Sequence, residues 1–315
     1  MYLNPIFIKE VPANEEGRDF IVGDLHGCFD ELAKLLSYVE FNPHKDRLFS
    51  TGDLIDRGPR SIDCLNLLKK KWFYPVLGNH EDIFLIRFKM YEEGKTQGFV
   101  KEEFDFIKSA QKFVPNILNM PLAYEISHKK WGKIYVVHAE ILPEHILSSN
   151  KDELNPIEYD RYFQSMKQFD FSNQLENFFQ SNKNKEIEFT LKQKLIWSRS
   201  MIKQFHIDHK EKLDAQDFSF VTENNFKQKI KVFCGHNVVP FPIKVGQQMY
   251  IDTGAALGYV SKEITTPIFS QFGHKYFALS MVDMDSGICY GCITSEKHRG
   301  EIMKFSMPLY GNLEQ

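Results

Sequence analysis

Asp24, His26, Asp53, Asn79 and His80 are the side chains of this 315-residue sequence best suited to bind cations and move protons, and they come in three short polar clusters. The clusters read Gly23-Asp24-Leu25-His26-Gly27, Gly52-Asp53-Leu54-Ile55-Asp56-Arg57-Gly58 and Gly78-Asn79-His80-Glu81. Asp24 and His26 alternate along the chain, so at a strand end both can turn toward one ion, while the two oxygens of Asp53 can bridge to a second. Mixed imidazole and oxygen donors suit Mn, Fe, Zn or Co better than Ca or Mg. Two divalent ions set against two carboxylates leave a positive hole that suits hydroxide plus a phosphate. Ions ~3.5–4 Å apart clamp the attacking and leaving oxygens of an in-line displacement and draw a bound water toward pKa ~7.

Elements of the right kind surround each cluster. Phe20-Ile21-Val22, Leu48-Phe49-Ser50-Thr51 and Tyr74-Pro75-Val76-Leu77 are strand-like and lead into the clusters, and a helix-like pattern follows each one. The intervals between clusters are close to the roughly 30 residues of a strand, crossover helix and return. This β-α-β-α-β order predicts parallel strands whose carboxyl ends share one edge, the place where open α/β sheets hold their ligands. A single Gly-Asp or Gly-Asn pair marks only a turn. Three in order, each at a strand-to-helix junction, are far more specific.

These residues resemble the signature blocks of the calcineurin-like metallophosphoesterases, in particular the phosphoprotein phosphatase branch with its bacterial and phage-lambda-type serine/threonine phosphatases. Ile196-Trp197-Ser198-Arg199, Cys234-Gly235-His236-Asn237 and Gln248-Met249-Tyr250-Ile251-Asp252-Thr253-Gly254 extend the resemblance, whose blocks lie between residue 18 and about 258. It implies an α/β fold, a β-sandwich of mixed sheets flanked by helices. It further implies that Asp24, His26 and Asp53 bind a first metal and that Asp53, Asn79, His138 and His236 bind a second. Arg57 and Arg199 would grip non-bridging phosphate oxygens, as planar guanidinium groups do well, with Asn79 also bordering the phosphate. His80 would protonate the leaving oxygen, oriented by Asp56, and a metal-bridging hydroxide would be the nucleophile. The chain departs from the family pattern at Glu140, in His138-Ala139-Glu140, and at Asn237, where threonine is usual.

The expected activity is hydrolysis of phosphomonoesters on Ser or Thr of proteins, with Tyr left open, or on a small phosphoester, supported by two divalent transition-metal ions, Mn foremost and Fe, Zn or Co as alternatives. A second enzymatic reading is symmetrical diadenosine tetraphosphate hydrolase, a relative on the same scaffold. His26 and Asp56 favour the protein phosphatase, because the dinucleotide enzymes typically carry glutamine at the first position and lack the acid at the second. A third reading is a non-catalytic scaffold that binds phosphoproteins.

The rest of the chain reads as support. Leu32, Leu35, Leu36 and Val39 give a first helix one buried face over about Asp30 to Val39, and Cys28 just before it reads as a small packing residue. A second helix starts with Pro59 near its first turn, a third runs from after Glu81 to about Gly94, and a fourth from Phe99 to Phe113 is ended by Pro115. Leu122–Ser127 with Lys133–Val137, and Tyr276–Val282 with Ile288–Thr294, alternate as hairpins. Two insertions are expected, at 95–120 and 141–195, both helical, with an exposed loop at 181–185. His206 and His209 read as a solvated helical face, and Cys289 and Cys292, within a strand pattern, as neither zinc nor redox ligands.

With 43% hydrophobic residues one domain spanning 1–315 can bury a large core. A net charge of −3 argues against a nucleic-acid or membrane-surface partner. The first ten residues have no basic region followed by an apolar core, and five scattered cysteines suit a reducing compartment, so a cytoplasmic protein is expected.

Overall fold

A computed structural model describes residues 8–140, 196–199, 232–245, 248–260 and 276–305. Among them the strands are β1 (Ile8–Val11), β2 (Asp19–Val22), β3 (Arg47–Ser50), β4 (Phe73–Pro75), β5 (Ala123–His128), β6 (Gly132–Val137), β7 (Val232–Cys234), β8 (Ile243–Val245), β9 (Gln248–Tyr250), β10 (Ala278–Asp283), β11 (Cys289–Ile293) and β12 (Ile302–Phe305). The α-helices are α1 (Phe29–Tyr38), α2 (Ser61–Asn66), α3 (Asn79–Glu92), α4 (Lys101–Ala110) and α5 (Val114–Leu118). The expected insertion at 141–195, its loop at 181–185, and His206 and His209 lie outside the described residues.

The strands form two six-stranded mixed sheets, in the orders β1-β5-β6-β7-β9-β8 and β12-β11-β10-β2-β3-β4. Period-2 alternation explains how they stack. Ile21, Phe49 and Val282 from one sheet and Ile134, Val136, Phe233 and Met249 from the other make a buried layer between the sheets. Their chain neighbours Phe20, Val22 and Leu48 turn the other way, into a core they share with Leu32, Leu35, Cys64 and Leu65 of the helices. Cys289 and Cys292 follow the same rule, facing the inter-sheet layer and the helix-side core respectively.

The expected parallel β-α-β-α-β unit is present, with Val22 opposite Ser50 and Ser50 opposite Pro75. In the second sheet β6, β7 and β9 are also parallel. All six carboxyl ends therefore open on one rim, and the hydrogen bond between His138 Nδ1 and the Thr51 carbonyl, 2.7 Å, ties the two sets together there.

Several boundaries differ from the sequence expectation. Helix α2 starts at Ser61, two residues past Pro59, because Gly58 N–H donates to the His26 carbonyl and Arg60 N–H to that of Gly27, which pins 58–60 to the first loop. Helix α3 begins at Asn79, before Glu81. Pro115 does not end the fourth helix. After Ala110 the chain passes through a 3-10 turn, Gln111–Phe113, and Pro115 sits in the first turn of α5, where its missing N–H costs nothing. Ile107, Ala110, Phe113 and Ile117 are buried in the main core, so segment 95–120 takes part in the packing. The short edge strands β8 and β12 and the 3-10 turn Ala255–Tyr259 had no clear pattern in the sequence.

Candidate metal centre

The centre is assembled from tight loops at the strand ends. His26 N–H donates to the Asp53 carbonyl at 2.6 Å and Gly27 N–H to that of Leu54 at 2.9 Å, locking the first two clusters together. The backbone is left-handed at His26 (φ 39°), Asp53 (46°), Asp56 (71°), Arg57 (67°) and His236 (59°). Outside glycine, Glu40 is the other such residue among those described. Such conformations cost on the order of 1–3 kcal/mol each and persist where surrounding contacts over-determine them.

Glu81 is one of those contacts. Fully buried, its carboxylate accepts the N–H groups of Asp53 (3.0 Å), Leu54 (2.7 Å) and Gly78 (3.1 Å), holding the second loop against the start of α3. Burial and the Asp53 charge push its pKa up to about 8. Gly78 packs so closely that a Cβ there would collide with Asp53 Oδ1. That oxygen accepts the His80 N–H at 2.9 Å, placing Asp53 at the positive end of α3.

Asp53 Oδ2 is the common point. It lies 3.4 Å from His26 Nε2, 3.5 Å from His138 Nε2 and 3.9 Å from His80 Nε2. Burial would raise the Asp53 pKa, but His138, His26 and His80 outweigh it and lower it to about 2. Two sets of ligand atoms follow, His26/Asp53/His80 and Asp53/His138/His236, each within 4.8 Å of one another.

The histidines are prepared as neutral donors. His26 Nδ1 bonds the Ile55 carbonyl at 2.7 Å and His138 Nδ1 that of Thr51. Carbonyls only accept, so each ring carries its proton on Nδ1 and turns a bare Nε2 toward Asp53. Burial lowers the pKa of His138, takes that of His26 to about 4 and, with His138 and Arg199 nearby, that of His236 to about 2. His236 Nε2 is buried with no hydrogen-bond partner, and Asn79 Oδ1 sits 2.8 Å from His138 Nε2, lone pair against lone pair. A cation reconciles all of these, so the donor set fits a metal centre.

The remaining residues fall as follows. Asp24 is buried and stands outside both sets: Oδ1 accepts the Thr51 hydroxyl at 2.7 Å and Oδ2 the His236 N–H at 2.8 Å. Burial, then Asp252 and Asp53, raise its pKa well above the usual value. A Cβ on Gly235 would collide with Asp24 Oδ1. His80 Nδ1 is 2.5 Å from Asp56 Oδ2, and its ring meets that of His26 edge-on at 4.6 Å. Arg57 donates through Nη1 to His26 Nε2 (2.8 Å) and through Nη2 to His80 Nε2 (3.1 Å), so its fork rests on the two imidazoles. Arg199 Nη1 donates to the His236 carbonyl (3.2 Å) and Asn237 Oδ1 (3.1 Å).

A model of the calcineurin-like phosphoesterases matches residues 20–240. The chain belongs to that family. Calcineurin-like phosphoesterases use a dinuclear metal centre, and the two ligand sets sharing Asp53 are the groups this member offers for one. Serine/threonine-protein phosphatase 1 of Salmonella typhimurium is 53% identical over 66 residues, 21% of this chain and 31% of that protein. A symmetrical bis(5'-nucleosyl)-tetraphosphatase of Actinobacillus pleuropneumoniae is 42% identical over 130 residues, 40% and 46% of the two chains. The chain thus spans less than half of each of these relatives. A cold-active protein-tyrosine phosphatase from a Shewanella species superposes with a TM-score of 0.49 at 14% identity, over 96% of this chain and 83% of its own. No helix among the described residues is long and apolar enough to cross a membrane.

Sequence reasoning assigned no role to Glu81, Thr51 or Asp252. Glu81 and Asp252 stand inside the motifs quoted from the sequence, and their signal there is a carboxylate beside a turn. Asp252 is buried, its Oδ1 accepts the Gly254 N–H at 2.9 Å, and burial raises its pKa to about 6. The Cys28 thiol is buried and pushed well up, in keeping with a packing role. Burial likewise raises the Cys289 and Cys292 thiols.

Proposed function

We propose that this phosphoesterase hydrolyses phosphomonoesters with the help of two divalent transition-metal ions, acting on phosphoserine or phosphothreonine of proteins. The observation that carries this reading is the His80–Asp56 pair, 2.5 Å between Nδ1 and Oδ2, with the His80 ring beside Asp53 Oδ2. A carboxylate on Nδ1 fixes the ring's orientation and turns Nε2 toward the place where an alkoxide leaving group would take a proton.

His26, Asp53 and Asp24 would hold one ion, and Asp53, Asn79, His138 and His236 the other. Bound there, the pair of ions would supply Lewis-acid polarisation of the phosphate and a more acidic water. Arg57 and Arg199 flank the centre and would take the non-bridging phosphate oxygens, with Asn79 alongside. For Arg57 this means exchanging its bonds to His26 and His80 for bonds to phosphate, an exchange that also frees His80 Nε2 to face the leaving oxygen. Glu81 keeps Asp53 in place throughout.

The bis(5'-nucleosyl)-tetraphosphatase relatives favour a second reading, cleavage of a dinucleoside polyphosphate, and their matched stretch is longer than that of the protein phosphatase. The test is a direct comparison of kcat/KM for a phosphoserine peptide and for diadenosine tetraphosphate, with added manganese. The protein phosphatase reading expects the peptide to be favoured by at least tenfold. Preference for the dinucleotide overturns it.

A further inference from the structure

Glu140 and Asn237 each bond the segment that carries Arg199. Glu140 follows the end of β6 and is fully buried. Its Oε1 accepts the Ser198 hydroxyl at 2.7 Å and its Oε2 the Tyr250 hydroxyl, from the end of β9, also at 2.7 Å. Asn237, just past β7, donates from Nδ2 to the Ser198 carbonyl at 3.0 Å and accepts from Arg199 Nη1 at 3.1 Å. Ser198 is thereby held through its side chain by one strand end and through its backbone by another.

The residue so fixed is the immediate neighbour of Arg199, whose guanidinium also donates to the His236 carbonyl. An arginine side chain has much rotamer freedom to lose when it is immobilised. Fixing its backbone origin and one of its nitrogens beforehand lowers that cost at the moment of binding, which is preorganisation. A carboxylate suits position 140 because two hydroxyl donors reach it from different elements, one for each oxygen.

We propose that Glu140, with Ser198 and Asn237, is a positioning residue that aims Arg199 at the phosphate of the substrate. The proposal rests on the reading of Arg199 as a phosphate ligand.

The test measures inhibition by inorganic phosphate, together with kcat, KM and bound manganese, for Glu140→Ala, Glu140→Gln, Ser198→Ala, Arg199→Ala and the double variant Glu140→Ala/Arg199→Ala. Glu140→Ala and Ser198→Ala should each weaken phosphate binding and raise KM by roughly tenfold, with manganese content unchanged. Glu140→Gln should stay within about twofold, since an amide can accept from one hydroxyl and donate to the other. Adding Glu140→Ala to Arg199→Ala should cause no further loss, because both act through one guanidinium. Ser198→Ala keeps the test open if Glu140→Ala does not fold. Additive losses in the double variant, or full phosphate affinity in Ser198→Ala, overturn the positioning role while leaving Arg199 as a ligand. Unchanged phosphate affinity in Arg199→Ala overturns both.

Discussion

Replacing Glu81 by glutamine should destabilise the protein and spoil its metal centre together. The carboxylate accepts three backbone N–H groups, from Asp53, Leu54 and Gly78, at 2.7–3.1 Å in a site with no exposure. An amide has one accepting oxygen. In its best orientation that oxygen keeps Asp53 and Gly78, which share Oε2, and turns its own NH2 against the Leu54 N–H. One hydrogen bond is lost and a buried donor is left unpaired, a cost of about 2–4 kcal/mol against the ~5–15 kcal/mol that holds a domain together. The loop that relaxes carries Asp53, and a displacement of about 1 Å at a reacting centre costs on the order of 10² in rate. Urea unfolding of Glu81→Gln, read with manganese stoichiometry and kcat, measures both effects. A loss below ~0.5 kcal/mol, as for an ordinary surface change, with full metal content would refute the bracing role.

Other predictions concern the acid and the frame. His80→Ala should lower kcat for phosphopeptides by ~10²–10⁴, the usual worth of a positioned proton donor, and lower it far less for an aryl phosphate whose leaving group needs no proton; equal losses on both substrates would contradict the assignment. Asp46 takes the Arg18 N–H (2.8 Å), Arg18 Nη2 (2.8 Å) and the Asn42 N–H (2.9 Å), and although burial opposes it these donors hold its pKa below the usual value. The folded state therefore binds fewer protons at this carboxylate, so its contribution is present above the unfolded pKa of ~3.9 and fades as pH falls through the folded one. Asp46→Asn should cost about 1–2 kcal/mol at neutral pH and flatten acid unfolding below pH ~4; an unchanged acid limb would count against the pair.

Much of the candidate centre is legible in the sequence, and for a definite reason. Asp24, His26, Asp53, Asn79 and His80 are close to glycines at strand-to-helix junctions, and a parallel sheet has only one edge on which such junctions can meet. His138 and His236 needed the family resemblance, because each stands after a strand without a second candidate ligand beside it. Long-range bracing was not legible. Glu81 looks like any acid in a helical first turn, and nothing local shows that its oxygens reach back to Asp53 and Leu54. Glu140 and Ser198 are far apart in sequence and meet because separate elements bring them together. The left-handed backbone at His26, Asp53 and His236 was hidden for the same reason, since tertiary contacts impose it against local preference. Short edge strands such as β8 and β12 are set by the ladder they join rather than by their own three or four residues.

A crystal of the full chain grown with manganese, read by anomalous scattering at the metal edge, tests the central claim most directly. Two peaks are expected, one within ligand distance of His26 Nε2 and Asp53 Oδ2 and the other of Asp53 Oδ2, His138 Nε2 and His236 Nε2. A single peak away from Asp53, or none, would contradict the dinuclear centre.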